Sequence, residues 1–456
     1  MEALDLKNKR IGIWGFGVVG KAALKALRHH PVSSLAVFDK RALNNAEQEL
    51  LTKYQARHYQ PDHLEAFLHD HDFIVPSPGI DLRPYLQFSS KFISELDLFA
   101  ASFKSPIIAI TGTVGKTTST SLLAHVLEHV GYNICVGGNI GVGMLDLLHD
   151  GQVYDYAVLE VSSFQLELSK FFAPHVALWT NFFPNHLDRH TTMADYFSAK
   201  QTMLLHQKAT DYAVLPFEII DLLSPELRAN RIFFTAHPLH EHEQKKLLPN
   251  DKLLSIDHEW VVLKNHHAQK IIELKNLPTI TYQQNILAVL GVLLTLDIPA
   301  EQLSGTSSTF ALQEHRLEKV ATINGVDFYN DSKSTITQST LAAIDKLQGK
   351  PVLLLLGGLS KGVDRSFLFT QIRNKVSEVF CFGQEAAELH KAGMAANMTC
   401  HRFDHLEPAL QSAVVNAKSG DQILFSPAGS SYDLFSNYQE RGKRFKELVT
   451  SYQLTR

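Results

Sequence analysis

Cysteine is scarce in this 456-residue chain: there are three, Cys135, Cys381 and Cys400, far apart in sequence. Such spacing suggests no disulfide framework and no cysteine-rich zinc site, and fits a reducing compartment. Long apolar runs are missing too. No stretch approaches the ~18 residues of a membrane-spanning helix, and the charged first ten residues lead straight into an expected strand with no signal-like segment. The expectation is a cytoplasmic protein with no membrane contact. Basic excess is absent: 43 Lys and Arg stand against 47 Asp and Glu, for a formal net charge of −4, with no basic block. That argues against a nucleic-acid partner. What remains is ordinary for a globular protein, with 45% apolar and 20% charged residues, and the length suggests about three domains. The 23 histidines are numerous, but most, such as His29-His30, read as surface residues.

The most informative stretch is residues 105–118. Ile107 to Ile110 reads as a buried strand, followed by Thr111-Gly112-Thr113-Val114-Gly115-Lys116-Thr117-Thr118. Apolar residues at Leu122, Leu123, Val126 and Leu127 then mark a helix. Strand, glycine loop and helix in that order make an anion site, because loop and helix-terminal N–H groups converge on phosphate oxygens. Lys116 can reach the β/γ-phosphates, and the Thr117 hydroxyl can ligate Mg²⁺. The general P-loop pattern asks for a glycine where Ile110 stands, so the loop is a shortened one. The competing reading is a glycine turn carrying a surface lysine.

Taken in order, residues 11–15 form a strand that enters Gly15-Phe16-Gly17-Val18-Val19-Gly20. A helix from about Lys21 to His29 and a strand Leu35 to Phe38 follow, ending at Asp39. This is a G-x-G-x-x-G unit with a strand-end acid, which points to a nucleotide or phosphate ligand without saying which. A strand at 72–75 leads to Pro76-Ser77-Pro78-Gly79-Ile80, where open α/β sheets bind ligands. In the second region, Gly137-Gly138-Asn139-Ile140-Gly141 reads as a glycine-rich turn. Strand 156–159 ends in Glu160, placed to hold Mg²⁺ beside phosphates, and strand 176–179 leads to Asn185-His186. Lys200 lies in a helix over about 195–208, where a lysine is usually a solvated charge. Residues 211–275 read as β-rich, and Gln284 to Leu296 as a largely apolar helix. The third region places Asp331-Ser332-Lys333-Ser334-Thr335, Gly357-Gly358-Leu359-Ser360-Lys361 and Ser426-Pro427-Ala428-Gly429-Ser430-Ser431 after strands at 326–330, 351–356 and 422–425. Strands alternate with helices, so this is another doubly wound domain. A magnesium-nucleotide site flanked by two ligand-binding α/β domains favours joining two substrates at the expense of ATP.

These motifs, together with Glu160-Val161-Ser162-Ser163-Phe164-Gln165-Leu166, Asn185-His186-Leu187-Asp188-Arg189-His190, His315-Arg316 and Leu356-Gly357-Gly358, resemble the Mur ligase family of ATP-dependent amide-forming enzymes. Ser77-Pro78-Gly79-Ile80 and the segment 426–433 are most similar to its D-glutamate-adding branch. The resemblance implies an α/β fold of three domains. A Rossmann-like N-terminal domain at 1–97 would bind the UDP moiety. A central P-loop ATPase-type domain at 98–312 would bind ATP. A Rossmann-like C-terminal domain at 313–456 would bind the amino acid.

It also implies roles. Val18, Val19, Asp39, Arg41, Ser77 and Gly79 would hold the uridine nucleotide, moving the G-x-G-x-x-G loop from NAD to UDP, and Asn139 would meet the sugar–peptide part. Gly112, Thr113, Gly115, Lys116, Thr117, Thr118, Asn285, Arg316 and Asp331 would bind ATP. Thr117, Glu160, His186 and a carbamylated Lys200 would serve two Mg²⁺ ions, with His186 near the reacting carboxylate. Lys116, Glu160, His186 and Lys200 would be the catalytic set. Lys333, Thr335, Lys361, Ser431 and Tyr438 would bind D-glutamate. The other substrate would be UDP-N-acetylmuramoyl-L-alanine, and a monomer is expected. The alanyl carboxylate would attack the γ-phosphorus of ATP, and the glutamate amine would displace phosphate from the acyl phosphate, with His186 as a possible proton acceptor. The chain departs from the family's usual residues at Val19, Val114, Asn185, Gln284 and Ala288, the last two where residues flanking the adenine are expected. Another Mur ligase, a folylpolyglutamate synthase-like ligase or a non-catalytic nucleotide-binding relative would share part of this pattern.

Overall fold

The computed structural model describes residues 4–149, 151–265, 267–278, 283–306, 310, 314–347 and 349–454. The chain divides into two compact units. The first holds residues 1–182, 194–278 and 284–308; the second holds 183–193, 279–283 and 309–456.

The first unit contains two sheets. Strands β1 (Arg10–Trp14), β2 (Ser34–Phe38), β3 (Ala56–Tyr59) and β4 (Phe73–Pro76) form one, in the order β3-β2-β1-β4. All its pairings are parallel. The other is built from β5 (Ile107–Thr111), β6 (Ile134–Gly138), β7 (Tyr156–Glu160), β8 (Val176–Trp179), β9 (Tyr212–Pro216), β10 (Asn230–Thr235), β11 (Lys252–Asp257), β12 (Trp260–Lys264) and β13 (Ala268–Glu273). Its order is β13-β12-β11-β10-β9-β8-β5-β7-β6. β5 lies between β7 and β8, parallel to both. A strand buried on both faces reads as a continuous apolar run, and every residue of Ile107–Thr111 is buried. The β-rich expectation for 211–275 resolves into β9 to β13, of which β12 and β13 run antiparallel to their neighbours. Gly137 and Gly138, expected in a turn, instead end strand β6.

The second unit carries β14 (Glu318–Ile323), β15 (Val326–Asn330), β16 (Val352–Gly357), β17 (Glu378–Phe382), β18 (Cys400–Phe403) and β19 (Gln422–Phe425), in the order β14-β15-β19-β16-β17-β18. Only β14 pairs antiparallel. Apolar clusters lie on both faces, one around Leu354, Leu356 and Phe369, the other around Leu355, Phe380 and Phe425. Such a sheet exposes its chemistry only at its rim, so the loops after β15, β16 and β19 converge. The three parallel-rich sheets match the expected α/β class. The expected boundary at 312/313 lies outside the described residues. Among those described, no helix is long and apolar enough to cross a membrane.

Candidate active site

The phosphate loop sits where the sequence places it, between β5 and the helix Lys116–His129. Gly115 is the N-cap in a left-handed conformation (φ +82°), and no side chain caps the helix. The first-turn amides of an α-helix have no intrahelical acceptor, so this terminus is built to receive an anion. A Cβ at Gly115 would lie 2.2 Å from Asn285 Oδ1. That oxygen is buried without a hydrogen-bond partner, which places the predicted ATP residue Asn285 against the loop. Gly115→Ala is therefore expected to cost about 1–3 kcal/mol of stability through backbone strain and the clash, measured as a fall in unfolding midpoint, with weaker ATP binding alongside.

The loop is strapped by residues the motif does not contain. Asn181 Nδ2 donates to Val114 O (2.9 Å), and Asn181 Oδ1 accepts from Val114 N–H (2.9 Å). Thr180 Oγ1 donates to the same carbonyl (2.7 Å), and Thr113 N–H reaches Asn181 O (3.1 Å). The loop is held through the main chain of Val114, so an apolar side chain there is tolerated.

Two lysines meet one carbonyl. Lys116 Nζ donates to Gly112 O (3.0 Å) and Thr113 O (3.1 Å). Lys200 Nζ donates to Gly112 O (2.9 Å) and Thr111 Oγ1 (3.2 Å) and lies 4.8 Å from the centroid of the Tyr196 ring. Lys200 is not the solvated lysine that base rates favour: it is 1% exposed. Burial, reinforced by the charge of Lys116 and opposed by Glu160, holds its ammonium pKa well below the usual lysine value. The same burial makes the amine easier to deprotonate than a solvated lysine.

Glu160, at the end of β7, is buried. Its Oε1 accepts from Asn139 Nδ2 (3.0 Å), Asn139 N–H donates to Glu160 O (2.9 Å), and Glu160 Oε2 is buried without a hydrogen-bond partner. No group of three His, Cys, Asp or Glu side chains that could hold a metal exists among the described residues. A cation here needs phosphate oxygens and a threonine hydroxyl to complete its shell, as Mg²⁺ commonly does. The orphan Glu160 oxygen and the buried Thr117 fit such an ion.

In the first sheet, Asp39 braces the glycine loop: Oδ2 accepts from Phe16 N–H (2.6 Å) and Oδ1 from Arg41 N–H (3.0 Å). Arg41 forks onto both oxygens of Glu47 (2.7 Å each) and donates to Phe16 O (3.1 Å). Together with Lys21, it drives the Glu47 carboxyl far below the usual range. Ser77 Oγ donates to Gly15 O (3.2 Å). A Cβ at Gly17 would meet nothing within 4 Å, and Val18 is exposed. Gly17, Val18, Val19 and Gly79 thus border open space, which a nucleotide's phosphates could fill.

The second unit gathers the remaining predictions. His186 adopts a left-handed conformation (φ +56°) at the start of the short helix Leu187–His190, and its N–H donates to Asn185 Oδ1 (3.1 Å). Arg316 sits between His315 (φ +64°) and Leu317 (φ +44°). Asp331 accepts from Leu317 N–H (3.0 Å), Ser334 Oγ (2.5 Å) and Ser426 Oγ (2.7 Å). Burial pushes its carboxyl up, against these hydrogen bonds and Arg316. Asp331 thus organises the turn that carries Arg316. Lys333 Nζ lies 5.5 Å from the centroid of the Tyr438 ring, and Lys361 Nζ donates to Thr335 Oγ1 (3.4 Å). Ser431 follows β19, which lies between β15 and β16. All five predicted amino-acid residues belong to this unit.

Two of the positions where the chain departs from the family pattern lie on the helix Gln283–Thr295, and Ala288 is fully buried within it. Gln284 is engaged with Glu218 (Nε2 to Oε1, 2.9 Å). Sequence reasoning also missed Asn181, Glu47 and Arg365. Asn181 and Arg365 belong to no recognisable motif and act through groups that only the folded chain brings near, whereas Glu47 completes the capping box of the helix Asn45–Lys53, which its spacing from Asn44 could have signalled.

A lysine-bearing phosphate loop with a strand-end acid in one unit, and a doubly wound sheet with cations at its rim in the other, are the parts an ATP-dependent amide-forming ligase requires. The family comparisons agree: the Mur ligase middle domain matches residues 110–292, and the Mur ligase glutamate ligase domain matches residues 315–429. The chain belongs to the Mur ligase family. A UDP-N-acetylmuramoylalanine–D-glutamate ligase of Caldanaerobacter subterraneus subsp. tengcongensis is 33% identical over 457 residues, covering 98% of this chain and 99% of its own. Among solved structures, a pseudomurein peptide ligase type C from Methanothermus fervidus shares the fold with a TM-score of 0.59 at 16% identity, over 98% of this chain and all of that one. MurF ligase from Thermotoga maritima in complex with ADP has a TM-score of 0.55 at 19% identity, over 86% and 92% of the two chains.

Proposed function

We propose that the chain joins D-glutamate to UDP-N-acetylmuramoyl-L-alanine at the expense of ATP, in the synthesis of peptidoglycan precursors in the cytoplasm. The observation that carries this reading is full-length similarity to a ligase of that name, on a chain that keeps Lys116, Glu160, His186 and Lys200. In this reading the domains divide at 97/98 and 312/313, for UDP, ATP and amino-acid binding in turn.

The phosphate loop and Lys116 hold the nucleotide triphosphate with its γ-phosphorus toward the alanyl carboxylate. Thr117, Glu160, His186 and the carbamate of Lys200 would hold Mg²⁺, which when bound offsets the charge between the anions. The neutral Lys200 amine takes up CO₂ and releases a proton, forming the N–C bond of a carbamate, so a group that repels cations becomes a carboxylate-like ligand. Asn139, tied to Glu160, meets the sugar–peptide part. Lys333, Thr335, Lys361, Ser431 and Tyr438 hold the amino acid. A lysine opposite a carboxylate is a point charge, and two of them fit a dicarboxylic amino acid.

The test is phosphate release by the purified chain with ATP and Mg²⁺. Release that requires both UDP-N-acetylmuramoyl-L-alanine and D-glutamate is expected. Release with L-glutamate or another amino acid in its place would remove the D-glutamate assignment, and no release with any pair would favour a nucleotide-binding relative without activity.

A further inference from the structure

Arg365 is almost wholly buried, with a side chain 4% exposed, and the proposed reaction gives it no task. Its guanidinium spans two loops. Nη1 donates to Gly357 O (2.9 Å) and Ala428 O (3.4 Å), and Nη2 donates to Gly358 O (2.9 Å) and Glu385 Oε2 (2.7 Å). The other oxygen of Glu385 accepts from Ser360 N–H (2.9 Å) and Ser360 Oγ (3.2 Å). The two loops are also zipped directly, by reciprocal main-chain hydrogen bonds between Leu359 and Ser430 (2.9 Å each). A Cβ at Gly429 would stand 2.7 Å from Arg365 Nη1, so the guanidinium occupies space the loop leaves for it.

The residues next along these loops are the ones expected to meet the amino acid. Lys361 follows Ser360, and Ser431 follows Ser430. Lys361 has a left-handed backbone (φ +56°), a conformation that persists in a non-glycine residue only where its surroundings over-determine it. The bonds of Glu385 to Ser360 supply that constraint on one side. A buried ion pair is weak evidence of a stabilising role, because desolvation offsets much of the attraction. The forked guanidinium does, however, impose fixed geometry on the carbonyls it joins.

We infer that the Arg365–Glu385 pair is a positioning device that sets Lys361 and Ser431 for the carboxylates of the incoming amino acid. The inference rests on the amino-acid-binding role of those two residues. Neither member of the pair touches the substrate. The pair determines how well the amino acid is held, and leaves ATP and the UDP substrate unaffected.

The experiment is steady-state phosphate release by the full chain, varying each substrate in turn, with thermal unfolding in parallel. Misplacement of a binding group by about an ångström costs up to about 10²-fold. Arg365→Met is thus expected to raise KM for the amino acid by about 10²-fold and Glu385→Gln by about 10-fold, with the KM values for ATP and the UDP substrate within about 2-fold of the parent. Arg365→Lys, which keeps the charge but not the fork, should fall between the parent and Arg365→Met. An unchanged KM for the amino acid, or equal rises for all three substrates, would overturn the inference. Should Arg365→Met fail to fold, Glu385→Gln and Ser360→Ala, which removes one hydroxyl, carry the same comparison. If the parent uses an amino acid other than D-glutamate, the functional reading fails, but the split in KM measured with that amino acid still decides the role of the pair.

Discussion

Lys116→Ala is expected to lower kcat by about 10²–10³-fold, the scale of losing one fixed electrostatic group at a developing charge, while leaving the fold intact. Lys116 Nζ is held by two loop carbonyls, so its loss removes hydrogen bonds at the rim of the loop and creates no cavity in the core. The unfolding midpoint should therefore move little. The UDP substrate should bind with little change in affinity, because its uridine nucleotide is expected on the first sheet, away from Lys116. The readout is phosphate release beside equilibrium binding of each substrate. A variant with near-parental kcat would remove Lys116 from the reaction. Arginine should not substitute: its planar fork lacks the compact charge that fits among the amides of the helix terminus.

Lys200→Met should separate activity from stability. Lys200 is wholly buried beside Lys116, and its amine is driven well below the ordinary lysine pKa. In the unfolded chain a lysine binds its proton below about pH 10.4. Between that pH and the lowered folded-state value, the unfolded chain binds more protons than the folded one, so stability contributed by this group rises with pH and is lost as pH falls. At neutral pH, in CO₂-free buffer, Lys200 is a liability. Replacement by an apolar side chain of similar length should raise stability by about 1–3 kcal/mol and flatten its dependence on pH between the lowered folded-state pKa and about 10.4. The same change should lower kcat by about 10²–10³-fold, because methionine cannot form a carbamate. Thermal unfolding across pH and phosphate release, each measured on both proteins, check the two halves. A fall in stability at neutral pH would mean that the amine's hydrogen bonds to Thr111 and Gly112 outweigh its burial. Unchanged activity would remove the carbamate.

The β5 strand and its loop were readable because a strand buried on both faces must be continuously apolar and a phosphate site must follow it with glycines. For the same reason, strand-end polar clusters at Glu160, Asp331, Lys361 and Ser431 stood out against the apolar runs before them. Boundaries were less legible: the helix after the first glycine loop begins at Val18, inside the motif, since loop and first turn share residues. On the helix Gln283–Thr295, which is largely apolar, sequence alone cannot tell an inward face from a ligand-facing one.

By itself the sequence determined the α/β class, the order of the ligand loops and the residue types able to bind phosphate, cation and carboxylate. These follow from local rules: apolar periodicity, glycine at close approaches, charge at strand ends. Only the tertiary structure decided the chemical state and setting of those residues. It made Lys200 a buried, easily deprotonated amine by placing it on the carbonyl that Lys116 also uses. It left one oxygen of Glu160 without a partner, and held Val114 through Asn181. It turned Arg365, unremarked in the sequence, into a link between two loops. Burial and pairing depend on residues far apart in the chain, and one-dimensional spacing carries no record of which of them will meet.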